Sequence, residues 1–333
     1  MTTQGVVGLR RQRNGRNLGT FLPRLLNRAL DDLNLSRGAG CREAARAVSS
    51  PEMASADPTL ERRVASTPSS DPQTRAESLA TAARALRAAE YVCILTGAGT
   101  SAESGIPTFR DALTGVWSRY SAHELATPDA FARHPQVVWQ WYASRRATVR
   151  AAQPNAAHRA LVALAERVSH CTLVTQNVDD LHQRAGSRDV VALHGSVMHA
   201  RCSEGCAGRI VIADEAMAAI PRCEMCDAAL RPDVVWFGEA LPTAAFESAR
   251  AAAVACDVFV SVGTSNVVEP AASLPWLAAS HGSTVILVNQ SMSGQRRGPS
   301  ILPIEGPAAV LLPQLVQAAF ANKRPRPRGV APE

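Results

Sequence analysis

Four cysteines in two close pairs, Cys202-x-x-x-Cys206 and Cys223-x-x-Cys226, stand sixteen residues apart in the second half of a 333-residue chain. Thiolates at this spacing can close a tetrahedral shell around Zn²⁺, each pair on a turn that brings its sulfurs together. Such a shell keeps no position open for a substrate, so it holds structure. The cysteines fill all four positions, and neighbouring His199 is not needed as a ligand. Residues 199–230 therefore read as a small module pinned by one structural zinc ion. The reacting groups must lie elsewhere.

The chain is long enough for one large domain or two smaller ones. Its remaining cysteines (Cys41, Cys93, Cys171, Cys256) are scattered, three of them in apolar runs, which suits small core hydrophobes in a reducing compartment. No run approaches eighteen apolar residues, so no membrane span is expected. The net charge is +6, but residues 1–75 hold twelve arginines against seven acids, so nearly all of the excess sits in the leader. A grip on nucleic-acid phosphates would need a basic face on the folded part, and none is evident. Residues 1–73 read as an extension, with a Ser-, Pro- and Ala-rich stretch from Ser49 to Pro72. Three readings of it stand: a disordered tail, a start assigned too far upstream with Met53 as the true start, or an organelle transit peptide. The first two carry more weight, and with one lysine in the chain, Lys323, against heavy Ala and Arg usage, a cytoplasmic bacterial protein is expected. Residues 323–333 read as a flexible tail.

From Thr74 onward strands and helices alternate. Residues 76–89 place Leu79, Ala83 and Leu86 on one helical face, and Tyr91–Leu95 reads as a buried strand. Further short apolar strands are expected at 172–175, 258–262 and 284–288, with helices at 135–151, 156–167 and 244–255. This alternation implies an α/β fold, a Rossmann-like doubly wound, mostly parallel sheet spanning 74–198 and 231–322, with the zinc module inserted between its halves.

Polar motifs sit where those strands end. Gly97-Ala98-Gly99-Thr100-Ser101 follows the first, where small residues let backbone approach a pyrophosphate; a tight strand–helix turn would look the same. Glu103 to Asp111 continues it as a long loop containing Phe109, which could wall off water, and Arg110, which could pair with phosphate. Gln176-Asn177-Val178-Asp179-Asp180 leaves another strand end. Its amides could read a carboxamide or ribose hydroxyls, and a helix cap accounts for one of them but poorly for all. Leu193-His194-Gly195-Ser196 offers a histidine for general-base work, although His182 or His199 could equally be proposed. Gly263-Thr264-Ser265, Asn289-Gln290-Ser291 and Gly306-Pro307-Ala308 are small polar turns suited to a ribose and adenine.

In this order the motifs resemble the sirtuins, NAD-dependent protein-lysine deacylases, over roughly residues 75–320. The resemblance implies NAD in the crevice, its pyrophosphate on Gly97, Ala98, Gly99 and Ser101, and its adenosine near Gly263, Thr264, Ser265, Asn289, Gln290, Ser291 and Ala308. Gln176, Asn177, Val178 and Asp179 would hold the nicotinamide end, guarded by Phe109, Arg110 and Trp117. His194 would act as general base on a ribose hydroxyl, with Asn177 beside it. Acyl-lysine proteins would be the substrates, and nicotinamide, O-acyl-ADP-ribose and free lysine the products.

On the helix 135–151, Tyr142 and Arg145 are three apart and share a face. They resemble the Tyr-x-x-Arg signature of sirtuins that remove succinyl, malonyl and glutaryl groups, against the plainer possibility of a solvated face beside Arg146 and Arg150. A guanidinium pairs well with a carboxylate in a partly dry pocket. Val234 to Glu239 fits the family's substrate-peptide strand. A monomer is expected, without specific nucleic-acid or membrane contact. The rival readings are a protein ADP-ribosyltransferase using the same site, and a non-catalytic NAD or ADP-ribose binder.

Overall fold

Buried apolar strands and the loops between them set the architecture. The computed structural model describes residues 72–108, 118, 120–206, 208, 210–212, 219–296 and 298–321. Of the leader reading (1–73), residues 1–71 lie outside them, as does the tail reading (323–333), whereas Pro72 and Gln73 belong to the first helix. In chain order the elements are α1 (Pro72–Ala88), β1 (Tyr91–Thr96), α2 (Gly99–Ala102), α3 (Ala122–Leu125), α4 (Pro128–Arg133), α5 (Pro135–Ala151), α6 (Ala156–Ala165), β2 (His170–Thr175) and α7 (Leu181–Ala185). They continue as β3 (Val191–Ala192), β4 (Gly195–Cys202), β5 (Ile210–Val211), β6 (Leu230–Val234), α8 (Thr243–Ala255), β7 (Val258–Val262), α9 (Leu274–Ser280), β8 (Thr284–Asn289), β9 (Ile301–Glu305) and α10 (Ala308–Phe320).

Six strands form one sheet in the order β3-β2-β1-β7-β8-β9, every neighbouring pair parallel. Strand order reverses between β1 and β7. That reversal opens a crevice at the carboxyl ends, where ligands of open α/β sheets bind. Because side chains alternate across a strand, β1 sends Val92 and Ile94 into one core and Cys93 and Leu95 into the other. The first core packs α1, α6 and α10; the second packs α8 and α9. With both faces covered, β7 is buried at every residue, which explains a run that is apolar but for Ser261.

The expected helix 135–151 forms with those bounds, started by Pro135 in its first turn. The helix expected to reach 167 ends at Ala165, and the strand ending at 289 is one residue longer than read. Several short elements were not anticipated, and two longer ones, β9 and α10, were missed as well. β9 carries Pro303 at its centre and sits at the sheet edge, where a missing N–H is tolerated. α10 carries Pro313 inside it, yet packs Leu311, Leu312, Leu315 and Val316 into the core. The cysteine module is wider than 199–230. Its antiparallel sheet β5-β4-β6 begins at Gly195 and ends at Val234.

The loops after β1 and β7 are in backbone contact. Gly97 N–H donates to Val262 O at 2.9 Å and Gly99 N–H to Gly263 O at 2.8 Å. A Cβ on Gly263, whose φ is +60, would fall 2.3 Å from Thr100 N. Both the dihedral and the space therefore demand glycine. Gly263→Ala should destabilise the protein by about 2 kcal/mol or more, read as a lower denaturation midpoint; an unchanged midpoint would mean that the two loops separate freely.

Candidate active site

The crevice floor is built by β1, β2 and β7 together with the chain leaving each. The amides of Gly97, Gly99, Thr100 and Ser101 all donate to protein carbonyls. The glycines thus serve the approach of two loops, and these four N–H groups are not free to cradle a pyrophosphate as the motif had implied. Ser101 is buried and its hydroxyl accepts from Asn177 Nδ2 at 3.2 Å. Asn177, also buried, donates its backbone N–H to Thr175 Oγ1 at 3.0 Å. Asp179 accepts from Leu181 N–H at 3.0 Å. Burial raises its pKa, and the Leu181 amide, the nearby Ser101 hydroxyl and the charge of Arg145 oppose the rise.

His194 is fixed by the same segment. Its Nδ1 lies 2.9 Å from Gln176 O. A carbonyl can only accept, so Nδ1 carries the proton and Nε2 is left as the basic nitrogen. Burial lowers the pKa of His194, against a smaller opposing effect of the Gln176 carbonyl. The Gln176 side chain donates across the crevice to Thr264 Oγ1 at 2.9 Å. Val178 is half-buried and takes Val197 N–H on its carbonyl.

The remaining expected residues fall along the β7–β8 rim. Ser265 is half-buried, and its carbonyl accepts from Gln295 Nε2 at 3.1 Å. Asn289 Nδ2 donates to Thr264 O at 3.1 Å. Gln290 and Ser291 are exposed just beyond, and Ala308 is buried at the first turn of α10. Phe109, Arg110 and Trp117 lie outside the described residues.

His182, an alternative candidate for the base, is a buried core residue. It bonds Thr96 Oγ1 at 2.9 Å and lies 4.8 Å, ring to ring, from buried His158. Burial lowers the two pKa values to about 3 and about 4, respectively. His158, Thr96 and Thr175 were not anticipated. Their partners are 57 to 86 residues away in sequence, and the one local sign was a threonine closing each of two neighbouring strands.

Tyr142 and Arg145 do share the inner face of α5. Tyr142 is buried, and its hydroxyl accepts from Trp236 Nε1 at 3.0 Å. Burial raises the tyrosine pKa. Arg145 is half-buried and feels both Tyr142 and Asp179 electrostatically, while its burial lowers its own pKa. This is not a solvated face, since even Arg146 is 1 % exposed and lies 4.8 Å from the Trp139 ring. Trp236 is held in turn. Arg231 lies 3.4 Å over its ring and forks onto Glu239 at 2.6 and 2.8 Å, and Glu239 also accepts from Trp236 N–H.

The four cysteines converge as expected. All four sulfurs lie within 4.8 Å of one another, four of the pairs at 3.2 to 3.5 Å. Ligands about 2.3 Å from a central Zn²⁺ would be roughly 3.8 Å apart, so the set fits a tetrahedral ion after slight expansion. Gly205 and Asp227 turn each pair inward with φ of +74 and +58.

A sequence model described as the Sir2 family matches residues 97–270. An NAD-dependent protein deacylase 1 from Pseudomonas aeruginosa is 52% identical over 71% of this chain and 96% of that protein. An NAD-dependent protein deacylase from Methylococcus capsulatus is 49% identical over 73% and 96%. Among solved structures, a Sir2 homologue–NAD complex superposes with a TM-score of 0.68 at 42% identity, covering 72% of this chain and 93% of that one. A Sir2 protein bound to a myristoylated histone peptide superposes at 0.60 and 32% identity, covering 73% and 97%.

Two tests follow from the site as built. Stripping zinc with a chelator should unfold residues 195–234 locally, seen as lost hydrogen-exchange protection there. The His158–His182 pair has folded pKa values below the ordinary 6.5. Its stabilisation is therefore complete above about pH 6.5 and is lost as pH falls toward the folded values. The denaturation midpoint should drop between pH 6.5 and pH 4, and replacing both histidines by glutamine should flatten that drop.

Proposed function

The chain belongs to the Sir2 family and is an NAD-dependent protein deacylase; on that premise we propose that it prefers acyl-lysines whose acyl group ends in a carboxylate, succinyl and malonyl above all. The carrying observation is Tyr142 and Arg145 together on the buried face of α5, Arg145 close enough to Asp179 for each to influence the other's ionisation. A half-buried arginine is costlier to keep charged than one in water, and an entering carboxylate offsets that cost by pairing with it. Tyr142 already accepts from Trp236, so its own O–H remains available to donate.

The rest of the site fits this reaction. Bound NAD supplies an electrophilic ribose carbon from which nicotinamide leaves. Asn177 bonded to Ser101, with Asp179 close by, suits the nicotinamide ribose and carboxamide. His194 Nε2 is unprotonated and can take a proton from a ribose hydroxyl. The segment 234–239 runs from β6 past His194, with Val235 N–H on His194 O at 3.0 Å and Phe237 N–H on Ala126 O at 2.9 Å. It is the natural place for an extended substrate peptide to add.

Arg145→Met should lower kcat/KM for a succinyl-lysine peptide about tenfold or more, the loss of a charge-assisted bond, and barely change the acetyl-lysine value; equal losses on both peptides would remove the pocket assignment. His194→Tyr should abolish deacylation while zinc content and the denaturation midpoint stay near wild type. Because burial lowers the pKa of His194, the acidic limb of kcat against pH should lie below 6.5: the base works while neutral and is lost as pH falls through its folded value.

A further inference from the structure

Beneath the reacting groups lies a buried polar chain that deacylation, as described, does not use. Asn155 caps α6, its Oδ1 taking Ala157 N–H at 2.8 Å, and its Nδ2 donates to Thr100 O at 2.8 Å. Its backbone N–H points at His158 Nδ1, 3.3 Å away. On the other side of that ring, His158 Nε2 is 3.4 Å from Ser101 Oγ. Ser101 Oγ also accepts from Asn177 Nδ2 at 3.2 Å, and its hydroxyl is near enough to Asp179 to favour the carboxylate. A second branch runs below it, where Thr96 Oγ1 donates to Thr175 Oγ1 at 2.8 Å and accepts from His182. Thr175 Oγ1 takes the Asn177 backbone N–H. Both ends of Asn177 are thus held from beneath.

The first branch has a definite direction. A backbone N–H can only donate, so the Asn155 amide makes His158 Nδ1 an acceptor and leaves the proton on Nε2. The competing acceptor for an Nδ1 proton, Asn155 Oδ1 at 3.1 Å, already takes two backbone N–H groups of α6. With Nε2–H and Asn177 Nδ2–H both donating to Ser101 Oγ, the single hydroxyl proton of Ser101 is left for the Asp179 carboxylate. Were the ring in its other tautomer, bare Nε2 would compete with Asp179 for that proton.

We propose that His158 is a positioning residue for deacylation: its Nε2–H, fixed by the Asn155 amide, aims the Ser101 hydroxyl at Asp179 and so holds the carboxylate where the nicotinamide end of NAD is bound. This rests on the reading that Asp179 faces that end of NAD. His158 itself is fully buried, so it would act through Ser101.

The test uses the zinc-loaded full chain. Nitrogen NMR of histidine-labelled protein, with the His158 signal assigned by its loss in His158→Gln, should show Nε2 protonated and Nδ1 bare; the reverse would overturn the proposal. His158→Leu should lower kcat/KM for NAD roughly tenfold, the effect of one lost orienting hydrogen bond. His158→Gln, whose amide can donate from nearly the same place, should restore most of it. In a Ser101→Ala background His158→Leu should cost less than about twofold further, because its partner is already gone. Fully multiplicative losses would overturn the proposal, and if the leucine variant does not fold, the tautomer and the glutamine comparison decide. Asp179→Asn separates the two layers. If it leaves kcat/KM for NAD unchanged, the placement of NAD at Asp179 fails, and the proposal with it. If it is damaging while Nε2 proves bare, the NAD placement stands and the proposal alone falls.

Discussion

Two backbone hydrogen bonds hold the site together: Gly97 to Val262 and Gly99 to Gly263. They join the loops leaving β1 and β7, the strands between which the sheet reverses its order. Side chains at those positions would force the loops apart, since a Cβ on Gly97 or Gly99 would come within 2.8 Å of the facing loop. Everything that contacts NAD in the reading above hangs from this junction. Gln176 reaches Thr264 across it, and Asn289 is bonded to the same loop from the far side. The glycines of the motif thus shape the site by letting protein meet protein. Their amides are spent on carbonyls.

From that junction the reacting groups are supported in layers. Gln176 fixes His194 by its carbonyl and the β7 loop by its side chain. Asn177 is held at both its backbone and its amide. Beneath them the buried histidines stay neutral because burial opposes their charging. The zinc module is attached through β4 and β6, which begin and end beside His194. Its cysteines stabilise that attachment without entering the chemistry.

Most of the fold was legible in the chain. Short apolar strands, a proline opening α5 and paired cysteines are local signals with direct physical meaning. β9 and α10 were not legible because each carries a proline, which ordinarily argues against a strand or helix interior. Pro303 escapes at a sheet edge, and α10 tolerates Pro313 because one face is packed into the core. For the site, the structure brings Asn177 to Ser101 and Gln176 to His194, residues that motif order had grouped, but motif order did not show what lies under them. Asn155 and His158 read as the start of an ordinary helix, and their contacts to Thr100 and Ser101 cross more than fifty residues. Arg146 shows the same limit from the other side. Charge and helical spacing suggest solvent, and only packing against Trp139 reveals it as interior.

The indole of Trp236 grips the Tyr142 phenol, and its own backbone amide is tied to Glu239. One residue therefore joins the wall of the proposed acyl chamber to the segment after β6, along which a target polypeptide would lie in that reading. Choice of modification and choice of flanking residues cannot then be separate dials. On the proposed reading, a target whose backbone tugs that segment would also resize the chamber, and profiling acyl tails on a single peptide would describe that peptide as much as the protein.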